Sequence, residues 1–180
     1  KYIKNFSFTS HEIGLLFGNV QSGKTGQMFG IISKATDLGF PVFVLLTTDN
    51  VVLQQQTLDR VKADLDGYCI CGENDSRIFT DNSLLQPTII VLKKNVRILK
   101  LWANIFNSTG FMRGNPLFII DDEADAASLN TLVNKDRQSS INKYLDIIKN
   151  GASSSIYLQV TGTPQAIFLQ TVESGWHPYF

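Results

Sequence analysis

The sequence predicts an α/β domain of three layers, a mainly parallel sheet held between two layers of helices, and three observations carry that prediction. Apolar runs of strand length alternate with segments of helical periodicity along the whole chain. The run Val42-Phe43-Val44-Leu45-Leu46 is apolar at every position, which suits a strand covered on both faces. A further apolar run, Leu117 to Ile120, ends in the acidic cluster Asp121-Asp122-Glu123-Ala124-Asp125, at the kind of strand end where parallel α/β sheets gather functional side chains. The 180 residues suffice for one domain with a proper core and are too few for two of ordinary size. No internal repeat, low-complexity segment or Pro/Gly-rich linker divides them.

Taken in order, residues from Lys1 to Gly14 mix aromatic and polar positions and make a weak lead-in to a first strand at Leu15-Leu16-Phe17. A helix is expected from Lys24, with Met28, Ile31, Ile32 and Ala35 on one face, ending near Gly39 before Pro41. The buried strand at Val42 follows, then a helix from about Asn50 to Asp64. The segment from Asp66 to Ser76 is polar and glycine-marked and reads as a surface loop. Arg77 to Thr80 reads as a short strand, and Thr88 to Leu92 as another. The next helix carries Val96, Leu99, Trp102, Ile105 and Phe106 as a core stripe. After a loop from Asn107 to Asn115 come the strand that begins after Pro116, an amphipathic helix over Ser139 to Lys149, and a strand from Ser155 to Val160 that ends in Thr161-Gly162-Thr163-Pro164.

Sixteen basic and sixteen acidic residues cancel, so the overall charge advertises neither nucleic acid nor an acidic membrane, although a local basic path remains compatible with it. Cys69 and Cys71 stand one residue apart, a spacing that suits neither a disulfide framework nor a Cys-x-x-Cys knuckle. They read as ordinary thiols of a reducing compartment, which makes the expected location cytoplasmic. No apolar run is long enough to span a bilayer, and the first residues lack the pattern of a secretory signal. The chain starts at Lys1 without a methionine, so it is expected to be a piece of something longer.

Between the first strand and the first helix stands Gly18-Asn19-Val20-Gln21-Ser22-Gly23-Lys24-Thr25, followed by Gly26. The spacing Gly-x-x-x-x-Gly-Lys-Thr is the Walker A pattern, in which backbone N–H groups of the loop cradle phosphate oxygens and the helix turns its positive end to the anion. Gly18 and Gly23 suit the tight turn, Lys24 reaches the β- and γ-phosphates, and the Thr25 hydroxyl is placed for Mg²⁺. The expected cofactors are therefore ATP and Mg²⁺. At the acidic cluster the same chemistry wants two carboxylates, one to hold the metal and one to orient or deprotonate the attacking water; Asp122 and Glu123 are assigned those roles. For both to act on one nucleotide, the Lys24 turn and the Asp122-Glu123 corner must face each other across neighbouring sheet edges. A solvated acidic turn before a helix is the plainer reading of the cluster taken alone.

Four stretches, Gly18 to Thr25, Thr47 to Thr57, Asp122 to Asp125 and Thr161 to Pro164, resemble motifs I, Ia, II and III of superfamily 2 helicases and translocases, in that order and over nearly the whole chain. The resemblance implies the first of two RecA-like domains. It is closer still to the motor part of bacterial Z1-domain proteins of restriction-like endonuclease systems, through Gly18 to Thr25, Gln56-Thr57 with Arg60, Lys93-Lys94-Asn95 and Ile120 to Asp125. The implied function is the ATP-binding half of an ATP-dependent DNA translocase. Its partners would be double-stranded DNA, a second RecA-like domain and a nuclease domain elsewhere in the parent protein.

The resemblance also implies that Thr161 and Thr163 couple the ATP site to domain movement, and that Thr47, Thr48 and Asn50 lie near a phosphodiester backbone. Thr48 or Asp49 could equally cap the following helix. Lys93 and Lys94 could neutralise backbone phosphates, or be solvated surface. Arginines from a second domain, which speed hydrolysis by orders of magnitude in such motors, find no counterpart here, so slow turnover is expected of this chain. No carboxylate-lysine nuclease constellation stands out, and Asp136 and Lys143 read as helix-surface charge. The alternative from another class is a nucleotide-gated binding module that switches a protein contact without efficient turnover.

Overall fold

The structure, a computed structural model, describes residues 6–17, 23–124 and 132–162. Its elements run β1 (His11–Phe17), α1 (Lys24–Asp37), β2 (Val42–Thr47), α2 (Val51–Asp64), β3 (Cys69–Cys71), α3 (Ser76–Asn82), β4 (Thr88–Lys93), α4 (Val96–Thr109), β5 (Pro116–Asp121), α5 (Leu132–Asn150) and β6 (Ser154–Thr161). Six strands form one sheet in the order β1-β6-β5-β2-β4-β3, every neighbouring pair parallel. This is the three-layer α/β arrangement expected from the sequence, and it is consistent with a RecA-like domain. Because all strands run the same way, Phe17, Thr47, Lys93, Asp121 and Thr161 end at one edge of the sheet.

The core divides by pleat parity. In β5, Leu117 and Ile119 join the cluster under α3, α4 and α5, with Phe79, Trp102, Phe106 and Leu145. Phe118 and Ile120 point the other way, into the cluster under α1 and α2 with Met28, Ile32, Leu58 and Val61. Both clusters are fully apolar on the central strands, so β2 and β5 are buried along their length, as the unbroken apolar runs require.

Several expectations are corrected. Strand β1 starts at His11 rather than Leu15, pairing from His11↔Ser155 to Phe17↔Thr161. It is an edge strand, half exposed, which is why its sequence is mixed. Part of the expected surface loop is strand β3, whose Cys69 and Cys71 are buried against β4. Arg77 to Thr80 is helical, within α3. Its β-branched and aromatic residues favour a strand locally, yet Phe79 is wholly buried and meets Trp102, Phe106 and Phe111 with ring centroids 5.7, 5.4 and 5.6 Å away. Tertiary packing overrides propensity there. Helix α5 begins at Leu132, a turn and more before the expected Ser139. Finally, β1 and β5 are not neighbours, because β6 lies between them. Among the described residues, no helix is long and apolar enough to cross a membrane.

Candidate functional site

Lys24 and Thr25 open α1, and both are half-buried. Gly23 precedes them at φ 73° and ψ 28°, in the left-handed region, and its carbonyl accepts from the Gln27 amide at 3.2 Å. A Cβ at Gly23 would meet nothing within 4 Å, so glycine serves the backbone turn here rather than close packing within the chain. Gly23, as the N-cap of α1, has no side chain to offer the first amides. The start of α1 lies at the carboxyl edge of the sheet, beside an exposed Gly26. Gly18, Asn19, Val20, Gln21 and Ser22 lie outside the described residues, as do Asp125, Thr163 and Pro164.

Strand β5 delivers the acidic turn. The register Asp121↔Gln159 and Phe17↔Thr161 sets the ends of β5 and β1 on either side of β6, two strand spacings or about 10 Å apart. Asp121 continues the row of Leu117 and Ile119 towards α4 and α5, and Asp122 stands in the turn that follows β5.

The turn hangs from two strands. The Asp122 amide donates to Leu46 O at 3.0 Å, and the Ala124 amide to Val160 O at 3.0 Å. Asp122 Oδ1 accepts the Glu123 amide at 3.1 Å. Glu123 itself has φ 53°, a left-handed backbone that non-glycine residues rarely adopt, and its side chain is exposed. Burial pushes the Asp122 carboxyl above its ordinary range. The nearby Glu123 and Asp121 carboxylates push the same way, while the Glu123 amide and Lys94 pull back.

Asp121 serves a different purpose from its neighbour. One carboxylate oxygen lies 2.8 Å from Lys94 Nζ, and the other accepts the Tyr157 hydroxyl at 2.5 Å. Tyr157 is buried, and that burial, with Asp121 beside it, holds its phenol well above the usual tyrosine range. Lys94 Nζ also donates to Asp122 O at 3.2 Å and Glu123 O at 2.9 Å. Sequence reasoning missed this arrangement. The doubled aspartate carried part of the signal, since a carboxylate turned into the apolar side of a sheet calls for a cation; Lys94 supplies it from the end of β4, across β2.

The other predicted residues are dispersed along the same edge. Thr47 is buried, its hydroxyl 3.3 Å from Thr48 O and 3.5 Å from Leu92 O. Asn50, rather than Thr48 or Asp49, caps α2, accepting from the Val52 and Leu53 amides at 2.9 and 3.2 Å. Lys93 is drawn to Glu73, Nζ to Oε2 at 3.6 Å, with its amide on Glu73 Oε1 at 2.9 Å. Both lysines expected to meet phosphates are thus engaged within the protein. Thr161 ends β6, buried.

A group of three or more His, Cys, Asp or Glu side chains able to hold a metal is absent among the described residues. Mg²⁺ at phosphates needs no such cage, since it takes one or two protein oxygens and completes its shell with phosphate and water. Asp122, half-buried and crowded by two carboxylates, and the Thr25 hydroxyl at the start of α1 are oxygen donors of the type Mg²⁺ takes. Compared with models of protein families the chain matches none, and compared with curated proteins it matches none either.

Proposed function

We propose that this chain is the ATP-binding half of an ATP-dependent DNA translocase or helicase. The observation that carries the reading is that the Lys24-Thr25 helix start, which follows β1, and the Asp122-Glu123 turn, which follows β5, stand at the same end of a parallel sheet with one strand between them. In this reading Lys24 binds the β- and γ-phosphates, and the start of α1 with the Gly18 to Gly26 motif holds the phosphate oxygens. Asp122 and the Thr25 hydroxyl hold Mg²⁺, which supplies charge neutralisation at the phosphate oxygens. Glu123, exposed on its turn, orients the attacking water and takes its proton. Thr161 and Thr163 pass the nucleotide state to a second RecA-like domain.

On the DNA side, the reading is supported by a half-exposed Thr48 and an exposed Asn50 at the carboxyl edge. They contact backbone rather than bases. The parent protein would add the second motor domain and the nuclease, and the two free thiols suit a cytoplasmic protein. The test is steady-state ATPase of the parent protein with and without duplex DNA, for wild type, Lys24→Ala and Glu123→Gln. DNA-stimulated turnover that both substitutions abolish is the expected result. Turnover untouched by either substitution would overturn the mechanism, and tight ATP binding without DNA-stimulated turnover would favour a nucleotide-gated switch.

A further inference from the structure

Lys94 stands where a phosphate-neutralising lysine would be exposed, yet its side chain is only 11% accessible. Three oxygens gather round its ammonium: it donates to Glu123 O at 2.9 Å and Asp122 O at 3.2 Å, and it forms an ion pair with Asp121 Oδ1 at 2.8 Å. The base of this clamp is fixed. The Lys94 amide donates to Thr47 O at 2.9 Å, and Asn95 caps α4 through the Arg97 amide at 3.0 Å while reaching Asp49 Oδ2 at 3.1 Å. Its far side is fixed as well, because Tyr157 holds the second oxygen of Asp121.

We propose that Lys94, backed by Asp121 and Tyr157, is the positioning residue of the acidic turn: it holds Glu123 in its left-handed backbone and so aims a side chain that nothing else need hold. The two amides of the turn that reach β2 and β6 fix Asp122 and Ala124, on either side of Glu123. The two carbonyls they leave behind are the ones Lys94 takes, and these bracket the Glu123 φ and ψ rotations. A charged donor to a carbonyl is roughly twice as strong as a neutral one, which suits it to holding a disfavoured conformation. That aiming Glu123 matters to hydrolysis rests on the function proposed above; that Lys94 holds the turn does not.

A merely structural lysine would serve only to neutralise Asp121, so the informative variant is Lys94→Met combined with Asp121→Asn, which removes the buried charge and its partner together and leaves Tyr157 an acceptor. Lys94→Arg is the conservative companion. Hydrogen exchange of the Glu123 and Ala124 amides in the nucleotide-free chain reads the turn, a fluorescent ATP analogue reads binding, and a single-turnover experiment reads hydrolysis. The double variant is expected to keep the analogue Kd within about threefold while its hydrolysis rate constant falls about 100-fold, the scale of a misplaced catalytic group. Amide exchange in the turn is expected to rise about tenfold or more, with Lys94→Arg recovering part of both losses. Wild-type exchange in the double variant, or a wild-type hydrolysis rate, would overturn the proposal. Faster exchange in a protein whose wild type neither binds nor hydrolyses ATP would uphold the positioning role and remove the proposed function instead.

Discussion

Glu123→Gly should stabilise the protein. Glu123 holds φ 53° although it carries a Cβ, and its side chain is exposed, so removing it sacrifices little packing. The left-handed region costs a non-glycine residue about 1–2 kcal/mol. Glycine returns about 0.4–1 kcal/mol of that through the greater freedom of its unfolded chain. The net gain is therefore about 0.5–1 kcal/mol. Over 180 residues the unfolding entropy is about 380 cal/mol/K, so the melting temperature should rise by about 1–3 °C. Glu123→Gln keeps the same backbone demand and should melt with the wild type. Calorimetry or thermal circular dichroism of the three nucleotide-free proteins decides the matter. A glycine variant no more stable than the glutamine variant would show that the turn is not strained, and would remove the reason for a clamp at Lys94.

Other consequences follow from buried groups elsewhere. Tyr157→Phe strips Asp121 of a charge-assisted hydrogen bond and should cost about 1.5–3 kcal/mol in urea unfolding near neutral pH. Since the Tyr157 phenol is raised above its unfolded value of about 10, its contribution is present below that pH and lost above it. The gap between wild type and Tyr157→Phe should accordingly shrink as the pH climbs past 10, and a constant gap would contradict the shift. Burial, with Cys69 beside it, pushes the Cys71 thiol up, so neither cysteine should react with a disulfide reagent at pH 8 until the protein unfolds; rapid labelling of the native chain would place β3 wrongly. Phe79→Ala empties the centre of an aromatic cluster and should cost about 3–5 kcal/mol, a melting shift of about 8 °C or more. A smaller loss would mean that α3 contributes little to that face.

The buried strands were the legible part of the fold. Val42 to Leu46 and Leu117 to Ile120 are apolar at each position because the sheet is covered on both faces, and that pattern has few other readings. The edges were harder. His11 to Gly14 is mixed because β1 has one neighbour, and β3 is three residues long, too short for alternation to register. Phe79 shows the limit of local reasoning, since its helix is set by rings from α4 and the loop beyond. At the site, the spacing around Lys24 and the acidic run at Asp122 pointed to one sheet edge, and the end of β5 at Asp121, with Asp122 in the turn beyond, separates the two aspartates. What Lys94 touches depends on strand order, which spacing along the chain does not contain. Asn50, expected near a phosphodiester backbone, also caps α2, a role its residue type favours equally.

Mg²⁺-dependent binding of ATP to this chain, followed by calorimetric titration of wild type, Lys24→Ala and Glu123→Gln, tests the shared nucleotide site most directly. One ATP per chain is predicted for the wild type and for Glu123→Gln, with affinity reduced about tenfold or more by Lys24→Ala and by withholding Mg²⁺. Equal heats from wild type and Lys24→Ala, or no binding by any of the three, would contradict the account.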